Sequence, residues 1–353
     1  MPARHFHDVP FDESTLAKLR LYELYAQAWL PVFLSSPQPR WREIHLFDFF
    51  AGPGKDSVGI DGSPLRLLRQ LKTFQSLPGW NVVDISVHFF DADPQKVDSL
   101  KETIAKSGLQ MPRVGLHIEP LKFSDAFLQS AHILANRDAA KLVFIDQFGV
   151  DKVTDGVFQQ LVKSPTCDFI FFLSSSILHR FREHPAIKQK ITRPDDYFDV
   201  HRAALNYYRD LLPEPRDYYL APFSMKKGSN IYGLIFGSGH PRGMDKFLEV
   251  AWKEDSIHGE ANFDIDRENA TSQQPLLFQV SKLSTFEAEL EGLILNGTVR
   301  NEADVVRVCF DHGVRRQHAQ PVLDELKKDG RIEISFRVPQ ISKLSDPRLI
   351  KVR

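Results

Sequence analysis

The stretch from Ile44 to Gly59, IHLFDFFAGPGKDSVG, constrains the rest of the chain more than any other. An apolar run of β-forming residues ends in Asp48, a turn containing Gly52 and Gly54 follows, and a helix can begin at Ser63. That is a strand, a glycine turn and a helix. Glycine has no Cβ, so the chain can bend sharply there and its backbone can lie against a ligand, most naturally a nucleoside or nucleotide. A phosphate-cradling loop would need Gly-Lys-Ser/Thr after a longer spacing. Here Gly54-Lys55 is followed by Asp56, whose charge would repel phosphate, and that reading is set aside.

Downstream, strands and helices alternate. Trp80 to Asp93, Gly115 to Ser124, Lys141 to Asp146 and Asp168 to Ser174 read as four further strands. Helices are expected over Ser63 to Gln75, over Pro94 to Lys106 and from Asp125 through Ala135. Short continuous apolar strands between helices indicate a parallel sheet covered on both faces. Tyr218 to Met225 and Asn230 to Gly237 then read as a hairpin around the turn KKGS, and Arg242 to Lys253 as a closing helix. Ahead of the sheet, residues 14 to 34 place Leu16, Leu19, Tyr25 and Trp29 at helical spacing, with Asp12 or Ser14 as N-cap. This helix is expected to pack on the following domain.

The expected organisation is an N-terminal helix in residues 1–43, a seven-stranded Rossmann-like α/β domain over 44–256, a polar linker over 257–283 and a small module over 284–353. Phe286 to Leu295, Glu302 to Phe310 and Val314 to Lys328 read as three helices, and Arg331 to Val338 and Leu349 to Val352 as two strands, the pattern of a winged helix. From His312 to Arg353 ten Lys/Arg stand against five Asp/Glu, an excess of five, so a nucleic-acid contact is expected from this end if from any. The whole chain of 353 residues has a net charge of -1 and is 42% hydrophobic, ample for a core. With no apolar run of about 20 residues and no signal-like N-terminus, it is expected to be cytoplasmic and free of membrane. Cys167 and Cys309 lie far apart in apolar surroundings, which speaks against a disulfide framework or a cysteine metal site. His5, His7, His179, His184 and His201 lack metal-ligand spacing.

Four acids fall where expected strands end, the side on which an open α/β sheet presents its ligand crevice. Asp48 can hold turn amides or a ligand ammonium. Asp91 lies where a carboxylate could accept both hydroxyl protons of a ribose, and it is preferred to Asp93. Asp125 is expected to meet an adenine amino group, and Asp146 to lie beside the reacting group. A single such Asp would more often be a helix cap; four at one end of four strands are harder to obtain by chance.

Taken together, FDFFAGPG, FFDAD, FSDAF and FIDQFG resemble the class I S-adenosylmethionine methyltransferases over residues 44 to 240. More narrowly, the chain resembles the bacterial three-Cys-motif partner (TcmP) proteins through Lys18-Leu19, Phe50 to Gly54, Asp146 to Gly149 and Ile231 to Pro241. It departs from that pattern at Gln147, where proline is expected. The resemblance implies S-adenosylmethionine as cofactor, bound by Asp48, Phe50, Ala51, Gly52, Gly54, Asp91, Ala92, Asp125 and Gln147. It also implies a three-Cys-motif protein as partner.

In methyltransferases acting on the amino groups of DNA bases, an Asp or Asn followed by prolines and an aromatic accepts the amine's protons while the aromatic stacks on the flipped base. Asp146 and Phe148 keep the acid and the aromatic, as catalytic candidates, without the prolines. Cytosine C5 chemistry would need a thiolate on that loop, and Cys167 lies elsewhere. Two readings follow. One is methylation of an amine on a nucleic acid or related substrate, with protein and small-molecule acceptors left open; the other is a methyltransferase-like adaptor with little or no catalysis.

Overall fold

The computed structural model describes residues 9–146, 152–173, 205–213, 218–227, 230–254, 263–264 and 282–353. The chain opens with α1 (Glu13–Leu34), then β1 (Glu43–Asp48), α2 (Ser63–Thr73), β2 (Asp84–Phe90), α3 (Pro94–Ser107) and β3 (Val114–Glu119). It continues through α4 (Phe123–Gln129), α5 (Ala131–Ala135), β4 (Ala139–Ile145), α6 (Asp155–Lys163) and β5 (Cys167–Leu173). After the hairpin β6 (Tyr219–Lys227) and β7 (Asn230–Ser238) come α7 (Pro241–Glu254) and a two-residue strand, β8 (Phe263–Asp264).

These strands form one sheet in the order β3-β2-β1-β4-β5-β7-β6-β8. The first five run parallel, and β7 is antiparallel to both β5 and β6. This is the Rossmann-like α/β sheet expected from the sequence. The one addition is β8, which lies inside the segment read as linker and pairs with β6 at two positions. All seven residues of β4 are buried, as a central strand covered on both faces requires.

Strand ends depart from the sequence reading for local reasons. Pro120 has no N–H to extend a ladder, so β3 stops at Glu119 rather than running to Ser124. At the start of β2, Pro78–Asn81 forms a turn of 3-10 helix, which delays the strand to Asp84.

Helix α1 is capped by Asp12, whose carboxylate accepts from the Thr15 amide at 2.8 Å. It lies on the sheet through Tyr22, stacked on Phe144 with ring centroids 4.0 Å apart, and through the Tyr25 hydroxyl, which donates to Asp168 at 2.6 Å. Among the described residues no helix is long and apolar enough to cross a membrane.

The C-terminal segment contains α8 (Lys282–Leu295), α9 (Glu302–Asp311), α10 (Gln320–Lys328) and the short antiparallel strands β9 (Ile332–Glu333) and β10 (Lys351–Val352). The helix read over Val314 to Lys328 is divided, with a 3-10 turn at Arg316–Ala319 before α10, and the two strands are far shorter than read. This segment docks on α7. Trp252 Nε1 donates to the Gly313 carbonyl at 3.0 Å, and the Arg316 guanidinium clasps Asp245 at 2.6 and 2.9 Å. Of the ten basic residues counted from the sequence, Arg316, Arg331, Arg337, Arg348 and Arg353 lie in ion pairs. Three of these pairs are with acids outside that count, Asp245, Glu291 and Glu302, so three of the five excess charges are neutralised locally.

One face of the sheet carries a row of imidazoles. His45 Nδ1 lies 3.1 Å from His88 Nε2, and His88 stacks on His117 at 4.7 Å. Burial drives the His88 pKa down to about 3, with the neighbouring His117 and His45 acting in the same direction, and burial also lowers His45. The folded state therefore holds His88 neutral while the unfolded chain protonates near pH 6.5. Its contribution to stability is complete above that value and is lost as pH falls toward 3. His88→Phe, which continues the stack of Phe47 and Phe90, is expected to reduce the acid sensitivity of unfolding by about 2 kcal/mol at pH 5. Urea unfolding of variant and wild type at pH 5 and pH 8 checks this; equal differences at the two values would contradict it.

Candidate active site

The strand order reverses between β1 and β4, since β2 follows β1 on one side and β5 follows β4 on the other. At such a switch point the connections diverge and leave a crevice at the carboxyl ends of the strands. Asp48 is the last residue of β1, Asp91 follows β2 directly, and Asp146 follows β4 directly. Three of the four acids singled out in the sequence are thus at this edge. Asp125 is a correction: because β3 ends early, it is the third residue of α4, exposed, with the Ser124 hydroxyl 3.3 Å away. Its helix still borders the crevice, because Phe123 stacks on Phe50 of the glycine turn at 5.6 Å. Gln147 and Phe148 lie outside the described residues.

The turn is held from β2. The Ala51 amide donates to the Phe90 carbonyl at 2.9 Å, and the Gly52 amide to Asp91 Oδ2 at 3.1 Å. Asp91 Oδ1 accepts from the Asp93 amide at 2.9 Å. Each carboxylate oxygen has a second lone pair, so Asp91 can fix the turn and still accept two hydroxyl protons. Asp93 is the N-cap of α3, its carboxylate accepting from the Gln95 amide at 2.9 Å, whereas Asp91 bonds the glycine turn itself. Ala92 between them is exposed, and Ala51 is buried.

Gly52 and Gly54 have φ of 61° and 90°, in the left-handed region that favours glycine. A Cβ on Gly54 would come within 2.9 Å of Leu100 Cδ1. Gly54→Ala is therefore expected to destabilise the protein by about 1–3 kcal/mol, from strained backbone and contact with α3 together. Thermal unfolding measures this, and an unchanged midpoint would contradict it.

Asp48 is buried, and only one of its oxygens is engaged by the turn: Oδ1 accepts from the Phe50 amide at 3.1 Å. Oδ2 has no partner among the described residues, and neither does the buried Tyr22 hydroxyl whose field it feels. Buried polar atoms are nearly always paired, so two orphans beside one glycine turn indicate a missing donor-rich partner. Burial raises the Asp48 pKa to about 7; the Ser63 hydroxyl and the Phe50 amide oppose the rise, and the nearby carboxylates of Asp146 and Asp91 add to it. A cation at this point would satisfy Oδ2 and relieve the crowding of three carboxylates.

Two groups were not legible as site residues. Asp56, read from sequence as a charge facing a ligand, is turned inward instead. It accepts from the amides of Phe11 at 2.7 Å, Val58 at 3.1 Å and Ile60 at 2.8 Å, and despite burial these bonds hold its carboxyl below the ordinary range. It thereby fastens the N-terminal segment to the glycine loop. Lys18 of α1 places its Nζ 2.7 and 2.9 Å from the two oxygens of Asp146, with the Phe172 ring centroid 4.9 Å away. The pair is largely enclosed, with side-chain exposures of 11% and 17%. Phe11, Thr15 and Leu19 line the same cleft as Phe50, Ala51, Gly54, Ser63 and Asp146. One wall of the crevice therefore comes from outside the sheet. No group of His, Cys, Asp and Glu among the described residues is arranged to hold a metal ion.

No protein-family model matches the chain, and no curated protein does. Among solved structures it is similar to the O-methyltransferase TomG from Streptomyces achromogenes, at 15% identity and a TM-score of 0.36 over 63% of this chain and 78% of that one. It is also similar to a SAM-dependent methyltransferase from Agrobacterium tumefaciens, at 8% identity and a TM-score of 0.35 over 66% and 63% of the respective chains. A third similarity is to spermidine synthase from Thermotoga maritima, at 13% identity and a TM-score of 0.35 over 67% and 66%. The chain spans slightly less than two thirds of the length of these last two.

Proposed function

We propose that the chain is an S-adenosylmethionine-dependent methyltransferase acting on an amine, of a nucleic acid or a related substrate. The observation that carries this reading is the buried Asp48, with Oδ2 unpartnered beneath a glycine turn at the switch point of the sheet. S-adenosylmethionine would supply a methyl group on a cationic sulfur, together with an ammonium, a ribose diol and an adenine. Asp48 and the Tyr22 hydroxyl would receive the ammonium, the backbone of Gly52 and Gly54 would lie against the methionine part, and Asp91 would accept from the diol. Asp125, on the exposed first turn of α4, would meet the adenine amino group, with Ala92 and Gln147 bordering it.

Asp146 would accept hydrogen bonds from the acceptor amine, orienting its lone pair toward the methyl group, and Phe148 would stack on the acceptor. Methyl transfer depends chiefly on in-line positioning, so the task of these residues is geometric. The three C-terminal helices and short strand pair form a winged-helix-like module in this reading. Its cations outside ion pairs would contact a nucleic-acid acceptor.

A second reading is favoured by one observation: Lys18 already occupies both oxygens of Asp146. A methyltransferase-like adaptor, working with a three-Cys-motif protein, would use the pair to close the crevice rather than to receive an acceptor. Methyl transfer from labelled S-adenosylmethionine to single-stranded DNA, RNA and simple amines separates the two. The first reading expects turnover that falls at least a hundredfold in Asp146→Asn while cofactor affinity holds. Full turnover in the variant would refute the role of Asp146, and absence of turnover in the wild type despite cofactor binding would favour the adaptor.

A further inference from the structure

A second cavity, of about 550 Å3, opens at the opposite edge of the sheet, where β5 begins and β7 ends. It is walled by the C-terminal half of α1, the connector before β1, the α6–β5 turn and the first turn of α7. Its volume is in the range of sites that enclose small organic ligands. It has no connection with the glycine turn and plays no part in the reading above.

The chemistry of the lining is specific. Trp29, Trp41 and Tyr218 present three aromatic side chains. Arg40, Lys163 and Arg242 present three cations, none of which has a carboxylate partner among the described residues; Arg40 lies over the Trp41 ring at 4.9 Å. Lys246, also on the wall, is already paired with Glu249 at 2.9 Å. The single acid of the lining, Asp168, is engaged by the Tyr25 hydroxyl at 2.6 Å.

The wall also contains the one non-glycine residue in the left-handed region among the described residues, Thr166, with φ of 48°. A β-branched residue held there stores about 1–3 kcal/mol. It is fixed from both sides: Trp41 Nε1 donates to its hydroxyl at 3.2 Å, and its carbonyl accepts from the Lys141 amide at 2.8 Å. The strained turn thus anchors the Trp41 indole at the cavity wall. A backbone outlier beside a cavity is the kind of strain that functional sites retain.

The geometry points to a second ligand site, for a small aromatic anion: a planar ring carrying a phosphate or carboxylate, of up to the size of a nucleoside monophosphate. The ring would lie among Trp29, Trp41 and Tyr218, and the anionic group would meet Arg40, Lys163 and Arg242. A wholly apolar ligand would leave three cations facing it, and inorganic phosphate would leave the aromatic wall uncovered.

Calorimetric titration of the full-length protein with 5′-AMP, phenyl phosphate and inorganic phosphate tests this, run with and without S-adenosylhomocysteine so that it is readable whether or not the methyl site binds. One-to-one binding of 5′-AMP or phenyl phosphate is expected in both conditions, at least tenfold tighter than inorganic phosphate. The comparison of the two aromatic probes tells whether a base and ribose are recognised or an aryl phosphate alone. Arg40 and Arg242 are exposed, so the double variant Arg40→Ala/Arg242→Ala is expected to fold and to weaken binding at least tenfold. Lys163→Ala, also at an exposed position, is expected to weaken it to a smaller degree. No binding of either aromatic at millimolar concentration, unchanged affinity in the variants, or equal affinity for inorganic phosphate would each overturn the proposal.

Discussion

Asp48→Asn is expected to make the protein more stable at pH 8 and at the same time to cost it its ligand. The carboxyl rises from 3.8 in the unfolded chain to about 7 in the folded one. Between these values the folded state holds a proton that the unfolded state has released. Stability is therefore lost as pH rises through that window. Asparagine keeps the size of the side chain and an acceptor for the Phe50 amide without the buried charge. The expected gain is on the order of 2–4 kcal/mol at pH 8 and close to zero at pH 4. Affinity for S-adenosylmethionine should fall at least tenfold, about 1.4 kcal/mol, because Oδ2 no longer offers a negative charge. Thermal unfolding at the two pH values gives the first result and titration the second. An unchanged midpoint at pH 8 would show that Asp48 is not a strained, unsatisfied group.

Lys18→Ala should have the opposite effect on stability. The side chain of Asp146 is 17% exposed, and Lys18 is its cation. Removing one partner of an enclosed pair leaves an uncompensated charge, with a cost of about 2–4 kcal/mol, whereas an exposed surface pair would cost less than about 1. Replacing both partners, in Lys18→Met/Asp146→Leu, should recover most of the loss, because no charge then remains unpaired. Denaturant unfolding of the two variants decides between enclosed and surface behaviour. A single variant within about 0.5 kcal/mol of wild type would place the pair in the second class.

The sheet was legible because its evidence is local. Apolar runs such as IHLFD and KLVFID, each ending in an acid, mark central parallel strands, and the glycine spacing marks the turn after β1. The end of β3 was misread because β-forming residues continue past Pro120, which removes the donor that a longer ladder would need. Asp125 moved with it, from a strand end to a helix.

What escaped the sequence is what depends on partners far apart in the chain. Lys18 and Asp146 are separated by 128 positions, and Phe11 and Asp56 by 45. Nothing in either local context announces that they meet. The row of His45, His88 and His117 arises from register between strands, which alternation along a single strand does not encode. Likewise the charge excess of the C-terminus reads larger than it is while its distant partners, such as Asp245 for Arg316, are out of view. The unpaired Oδ2 of Asp48 was equally invisible, since the lack of a partner is a property of the folded interior.

The proposed S-adenosyl site in the crevice at the glycine turn is read by isothermal titration of wild type and Asp91→Ala with S-adenosylmethionine, S-adenosylhomocysteine and ATP. Micromolar binding of the first two, little binding of ATP, and a loss of at least tenfold in the variant, about 1.4 kcal/mol, are expected. No binding of either S-adenosyl compound by the wild type, or equal affinity in Asp91→Ala, would contradict it.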